Sequence, residues 1–273
     1  MLASDLVQAA EVAAAAFSRD IADERAERRW RESLAYPFST DPEGAFVAEL
    51  GGRVIGVAQA LVRERLWILS RFAVQPGIQS GGAGRALLEH AVGYGRETDA
   101  GLIVSSNDPR ALRLYARAPI ALRPALRADG QVDRRALPRS DARVRVDDQG
   151  NDLESLAALA RAIRGASYTG ELRYALNRGG RLLRIEDRGF ALVNEDGSPW
   201  VLVARDEATA ITLFWNALAM TDGRARVRWI TGAQQWAVDV AIQARLEVVA
   251  YGALCVRGTP GTLKPFLPSP PFA

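Results

Sequence analysis

Gly77, Gly81, Gly82 and Gly84 crowd into one short connection between a strand and a helix. Trp67 to Val74 has the apolar, β-branched character of a strand. Pro76 stops it, because proline has no N–H to give a ladder. After the loop, Leu87, Leu88, Ala91 and Val92 share one helical face. Glycine permits positive φ and lets a ligand come close to the backbone. Successive N–H groups ahead of a helix N-terminus make an anion site suited to a pyrophosphate. Strand, loop and helix in that order call for an α/β architecture. Two common glycine loops are excluded. A P-loop needs Gly-Lys-Ser/Thr, and this stretch has no lysine. A dinucleotide fingerprint needs Gly-x-Gly-x-x-Gly after the first strand of a βαβ unit. Here the loop follows the third strand of a meander, with the spacing Gln79-x-x-Gly82-x-Gly84.

The periodicity around the loop predicts a repeated order of elements. Helices cover Ser4–Phe17 and roughly Ile21–Ala35. Strands follow at Phe46–Leu50, Val54–Val62 and Trp67–Val74. Then come the loop, a helix, a strand at Leu102–Val104, a helix opened by Asp108-Pro109, and a strand at Ile120–Leu126. Asn151-x-x-Glu154 reads as a capping box, with Leu153, Leu156, Ala160 and Ile163 on one face behind it. Strands at 182–185, 190–193 and 200–204, a helix at 208–220, a strand at 225–230, a helix at 235–244 and a strand at 248–256 complete a second copy of that order. The expected organisation is residues 1–128 as the glycine-looped unit, 129–142 as linker, and 143–273 as a second unit without the loop. Trp200, Trp215, Trp229 and Trp236 read as core or inter-domain packing residues rather than a cofactor box. The first unit is one strand short. The proline-rich tail from Lys264 to Ala273 is expected to cross to it and line its cleft.

The scarce residues narrow the chemistry. There is one histidine, His90, and one cysteine, Cys255. A lone cysteine closes no intrachain disulfide. One Cys and one His cannot build a structural zinc site, and haem or iron–sulfur ligation is equally short of partners, so no metal is expected. Any imidazole-activated nucleophile must use His90, which sits on a helix leading away from the loop. Cys255, in an apolar strand, reads as a small buried hydrophobe. Catalysis falls to carboxylates, hydroxyls, arginines, backbone dipoles or a bound cofactor. The N-terminus has no basic leader, and no apolar run reaches the ~20 residues of a membrane span. A soluble, cytoplasmic protein without a membrane partner is expected. Residues 110–145 are rich in arginine. With no aromatics interleaved as single-strand binding needs, they read as a solvated linker and strand rather than a nucleic-acid face.

With its neighbours, the loop resembles the acyl-CoA loop of the GNAT superfamily of N-acetyltransferases, Gln/Arg-x-x-Gly-x-Gly/Ala. Val74-Gln75-Pro76 matches the family's strand end, Leu87-Leu88 its helix, and Ala111-Leu112-Arg113-Leu114-Tyr115 its Ala-x-x-Leu-Tyr helix. The resemblance covers residues 1–128; the second half shares only the element order. It implies two tandem GNAT-like units on α+β mixed sheets, the second degenerate. It implies acetyl-CoA as co-substrate and direct attack by a small-molecule or peptide amine. Gln79, Ser80, Gly81, Gly82, Ala83, Gly84 and Arg85 would hold the pyrophosphate. Phe72, Ala73 and Val74 would pair with the pantetheine arm between the Trp67 and Leu102 strands, with Asn107 or Asp108 as a further contact. Tyr115 would protonate the departing thiolate. The place of the family's glutamate base is taken by Ile68. Glu64 and Glu49 lie near in sequence but read as solvated. Trp30, Tyr36, Phe38 and Glu64 are the guesses for the acceptor wall. A non-catalytic acyl-CoA-binding or interaction protein on the same fold is the alternative, and monomer and homodimer both stay open.

Overall fold

A computed structural model describes residues 1–78, 81–139, 143–194, 198–221 and 223–273. The first half contains α1 (Leu6–Ala16), α2 (Glu24–Thr40), β1 (Ala45–Leu50), β2 (Arg53–Arg63), β3 (Leu66–Val74), α3 (Ala83–Tyr94), β4 (Ala100–Ser105), α4 (Pro109–Tyr115) and β5 (Ile120–Gln131). After a short β6 (Arg145–Asp147) come α5 (Ala157–Arg164), α6 (Thr169–Leu176), β7 (Arg181–Ile185), β8 (Gly189–Val193), β9 (Pro199–Ala204), α7 (Glu207–Ala219), β10 (Arg224–Thr231), α8 (Gln235–Gln243), β11 (Glu247–Gly258) and β12 (Phe266–Leu267). Two helices, three strands, helix, strand, helix, strand run from α1 to β5 and again from α5 to β11. The mixed α/β fold is the expected one, with α6 an addition that the periodicity did not show.

Contacts divide the chain into Met1–Ile103 with Phe272, and Val104–Pro271 with Ala273. The division falls well before the linker expected at 129–142. The cause is β5, which runs on through Gly130 and Gln131 with strands from the second half on both its edges. β11 and β10 each pair with it antiparallel. Backbone groups of residues 129–131 are thus bound into a sheet, not left as a connection.

In the first unit, β1, β2 and β3 form an antiparallel meander, and β4 lies parallel to β3. Ala9, Ala10, Ala13, Trp30 and Leu34 from α1 and α2 pack on Val57 and Ala73 of the sheet. Asp23 caps α2 by accepting from the Ala26 N–H at 2.7 Å. The helix then passes its expected end and continues through Pro37 to Thr40. Proline deprives the carbonyl four residues back of its donor. That carbonyl, of Ser33, accepts instead from Arg71 Nη2 at 3.4 Å, and the Leu34 carbonyl accepts from Gln59 Nε2 at 2.8 Å. Gln59 and Arg71 face each other across β2 and β3. Both are buried polar side chains, and the proline-bent helix supplies acceptors for them.

Asp41, just past α2, ties three elements together. Its carboxylate accepts from the Val62 N–H at 2.8 Å, the Tyr94 hydroxyl at 3.0 Å and Arg63 Nη1 at 2.7 Å. Burial, and then the adjacent Asp41 charge, push the Tyr94 phenol up to about 12.

In the second unit, β11, β5 and β10 form one antiparallel group, and β12, β9, β8, β7 and β6 form a second antiparallel sheet. Its core includes Leu213, Phe214, Trp215, Leu218 and Trp236. Trp229 is also buried and Trp200 half-buried. Cys255 is fully buried, and burial pushes its thiol up to about 12. The expected capping box takes another form. The N–H and Nδ2 of Asn151 donate back to Asp147 Oδ1, each at 3.2 Å, and a 3-10 turn at Leu153–Leu156 precedes α5. The apolar face of Leu153, Leu156, Ala160 and Ile163 is nonetheless buried. Most of the tail stays in this unit, where β12 pairs with β9. Phe272 counts with the first unit, its ring edge-on to Tyr36 at 5.5 Å. Among the described residues no helix is long and apolar enough to cross a membrane.

Two tests follow from this packing. An unfolded tyrosine titrates near ~10, so the protonated Tyr94 contributes stability that is complete below that pH and is lost as pH rises toward about 12. Chemical denaturation between these limits should show a shallower fall for Tyr94→Phe than for the wild type. Gly252 has φ +60, and a Cβ there would lie 1.9 Å from the Ser105 carbonyl oxygen. Gly252→Ala should cost ~2 kcal/mol or more, a drop of roughly 4 °C or more in Tm by calorimetry.

Candidate active site

The site begins where β3 leaves β4. Their parallel ladder covers Leu66, Trp67 and Ile68 against Ala100, Gly101 and Leu102. β3 then runs on from Leu69 to Val74. Its pairing with β2 shifts at this point: Ala60 faces Leu69 and Gln59 faces Arg71, so Ser70 is an extra residue. A bulge bends its strand and sharpens the twist, so the bend and the end of the ladder coincide. Ser70 Oγ is enclosed and makes no hydrogen bond. No local sequence signal marked it, because a bulge is defined by the partner strand. Phe72 and Val74 are half-buried and Ala73 is buried. They lie on the part of β3 beyond the ladder, the place expected for a bound backbone-like arm.

The chain then turns into the glycine loop. The Gln75 N–H bonds the Ile55 carbonyl at 2.8 Å, and the Ile78 N–H bonds the Gln75 carbonyl at 3.2 Å. Gln79 and Ser80 lie outside the described residues. Gly82 stands at the N-cap of α3 with φ 84, and no side chain caps the helix. The first-turn N–H groups at Ala83, Gly84 and Arg85 have no acceptor within their own helix. A Cβ at Gly82 would meet nothing within 4 Å. The loop therefore offers convergent N–H groups with open space before them, which fits a phosphate-sized anion. Arg85 brings a cation to the same turn and pairs with Glu89 at 2.9 Å on the exposed surface.

The other expected residues of the first unit are placed as follows. Trp30 is 7% exposed; its Nε1 donates to the Ala10 carbonyl at 2.8 Å, and the guanidinium groups of Arg19 and Arg71 lie 4.7 and 4.4 Å from its ring. It is a core residue, not an open wall. Tyr36 and Phe38 are half-buried. Glu64 sits in the exposed β2–β3 turn with φ 54, and Glu49 is also exposed. Ile68 is fully buried. His90 turns back on its own helix, with Nδ1 2.8 Å from the Ala86 carbonyl.

In the second unit, Asp108 caps α4. Its Oδ1 accepts from the Arg110 N–H at 2.8 Å, and its Oδ2 pairs with Arg110 Nη2 at 2.8 Å. The Arg110 hydrogen bond holds this carboxyl below its usual range. Asn107 is exposed and its side chain makes no hydrogen bond among the described residues. Asn107 thus has the uncommitted amide and Asp108 the committed carboxylate. Tyr115, at the end of α4, is 4% exposed. Burial pushes its phenol strongly upward, with smaller contributions from Cys255 and Asp108. It holds its proton throughout the ordinary pH range.

Residues 5–118 match the Acetyltransferase (GNAT) family. A curated mycothiol acetyltransferase from Streptomyces bingchenggensis (strain BCW-1) is 40% identical over 83 residues, which are 28% of this chain and 27% of that protein. The match thus spans about a quarter of that relative's length. A crystal structure from Pyrococcus horikoshii, provisionally called an acetyltransferase, superposes with a TM-score of 0.82 over 99% of this chain and 93% of that one, at 16% identity. A tandem GNAT protein from the clavulanic acid biosynthesis pathway superposes with a TM-score of 0.59 over 93% and 94%, at 14% identity. At such identities the two structures show a shared fold. The loop is tested by Gly82→Asp, which sets a carboxylate among the N–H groups. Titration calorimetry should show no acetyl-CoA binding by this variant; an unchanged affinity would refute the loop assignment.

Proposed function

Residues 5–118 carry the sequence pattern of GNAT acetyltransferases, and on that premise we propose that this protein is an acetyl-CoA-dependent N-acetyltransferase. The observation that carries the reading is the end of the β3–β4 ladder at Ile68 and Leu102, together with an α3 that starts on a left-handed glycine. Acetyl-CoA supplies an activated thioester. The Gly81 N–H is turned back on the Ile78 carbonyl at 3.3 Å, so the N–H groups from Gly82 to Arg85 would hold the pyrophosphate, with Gln79 and Ser80 completing the loop. The stretch of β3 beyond the ladder, Phe72, Ala73 and Val74, would orient the pantetheine arm, and a β3 N–H would polarise the thioester carbonyl. The amine attacks directly in a ternary complex. Tyr115 holds the proton that the departing thiolate takes up. With Ile68 at the position of the family's base, the amine loses its proton to water or arrives neutral. The second half, with the same element order and no glycine loop, is a degenerate second unit that binds no CoA. The acceptor is a small-molecule or peptide amine.

The near-complete burial of Tyr115 and the apolar Ile68 favour a second reading, a binding module that holds acyl-CoA without turnover. CoA release with a panel of amines separates the two. An enzyme should release CoA, and Tyr115→Phe should lower kcat by ~10²-fold or more with the KM for acetyl-CoA unchanged. A wild type that binds acetyl-CoA but releases none above background supports the binding module.

A further inference from the structure

The second unit repeats the element order of the first, so β9, α7 and β10 correspond to β3, α3 and β4. In the first unit those elements frame the place proposed for acetyl-CoA. In the second, β9 and β10 share no ladder among the described residues. β9 pairs with β8 on one edge and with β12 on the other, and β10 pairs with β5. What lies along the second edge of β9 is therefore the chain's own segment, Leu263–Leu267.

The backbone groups of this segment are bound on both sides. The N–H groups of Thr262 and Leu263 donate to the Ala162 and Ile163 carbonyls of α5, at 3.0 and 2.8 Å. The Pro265 carbonyl accepts from the Ala204 N–H at 3.3 Å, and Phe266 and Leu267 stand opposite Val203 and Leu202. Successive residues of an extended strand turn their polar groups to opposite edges. The Phe266 N–H accordingly points away from β9 and donates to Gln234 Oε1 at 3.0 Å. Gln234 ends the short 3-10 turn Gly232–Gln234 that joins β10 to α8. Its Nε2 donates to the Leu263 carbonyl at 2.8 Å, and its Oε1 also accepts from Trp236 Nε1 at 3.0 Å. A carboxamide has a donor and an acceptor, as a peptide unit does. Gln234, 2% exposed, thus stands in as a side chain for the ladder that β10 does not form. Leu263, Phe266 and Leu267 are buried, and Leu267 shares a core with Leu202, Ile230 and Trp236.

The helix terminus is filled as well. α3 begins on Gly82 with no side-chain cap. α7 begins on Asp206, whose Oδ1 accepts from the Thr209 N–H at 2.9 Å. That hydrogen bond holds the Asp206 carboxyl below its usual range, and Glu207 adds a second acid in the first turn. A pyrophosphate arriving at this helix end would meet a resident carboxylate.

We propose that Leu263–Leu267 is a built-in occupant of the β9 edge, a strap clamped by Gln234, which together with Asp206 closes the second unit to acyl-CoA. Each chain then takes up one acyl-CoA, and Gln234 is the positioning residue of the strap. This inference rests on the acetyl-CoA reading of the first unit.

The test combines titration calorimetry with amide hydrogen exchange on the full chain. The wild type should bind acetyl-CoA at a single site. Saturation should slow exchange at residues 82–88 and leave Ala204, Phe266 and Leu267 unchanged. A stoichiometry of two, or faster exchange at Phe266 and Leu267 with acetyl-CoA bound, would overturn the closure. Gln234→Ala should speed exchange at Phe266 and Leu267 by roughly tenfold or more, while β7 and β8 keep their wild-type protection. Gln234→Glu retains an acceptor for the Phe266 N–H and should speed Phe266 less. Unchanged exchange in Gln234→Ala, or an equal rise across β7 and β8, would overturn the clamp. If the wild type binds no acetyl-CoA, the acetyl-CoA reading falls by itself, and exchange in the two Gln234 variants decides the strap alone.

Discussion

The bend of β3 at Ser70 is the constraint around which the first unit is arranged. A parallel ladder carried to the end of both strands would use every edge group of β3 within the protein. Because one extra residue is inserted just past Ile68, the ladder with β4 stops there and β3 runs on without it. The glycine loop then starts from the displaced end, so the direction of α3 and of its first N–H groups depends on the same bulge. A helix N-terminus is a set of unspent backbone hydrogen bonds. The site proposed on it needs almost no side-chain chemistry, which suits a chain with one histidine and one cysteine.

Polar burial in this unit follows a similar economy. Gln59 and Arg71 look like misplaced residues on two sheet strands. They answer the carbonyls that Pro37 disturbs in α2, so the helix continues where proline would otherwise end it. Asp41 does the equivalent at the end of that helix, collecting a backbone N–H, a phenol and a guanidinium. Gln59 Nε2, Arg71 Nη2 and the Asp41 carboxylate are each buried together with a group that satisfies them, while Gln59 Oε1 and Arg71 Nε are enclosed without a hydrogen bond.

Much of this was legible in the sequence because it is local. The strands at 46–50, 54–62 and 67–74, the loop and the later strands at 182–204 lie within a residue or two of their expected places, since alternation and turn residues report on the segment itself. Buried Cys255 and the packed Trp215 and Trp236 were legible from apolar context. Partners distant in sequence were not. Ala35 looked like a helix end because the donors that rescue Pro37 lie on β2 and β3. Residues 129–131 looked like a linker because the strands that pair with them come about a hundred residues later. Trp30 has the residue type of a pocket wall, yet α1 covers it. At the site, the loop and Tyr115 stood out by residue type and spacing. Ser70 did not, because the bulge is set by the register between β2 and β3, which neither strand carries alone.

The two-sided pairing of β5 has a consequence for how the chain is made. Until β10 and β11 have been synthesised, β5 has neither neighbour, and a strand with open edges is a template for unwanted pairing. Its native contacts are long-range ones, which form late and slowly. During synthesis the first half therefore waits, partly assembled, for the last strands of the second. A chain released early would expose an unpaired strand containing Leu122, Ala125 and Ala128, and quality-control factors that bind such segments would meet this intermediate before the finished protein.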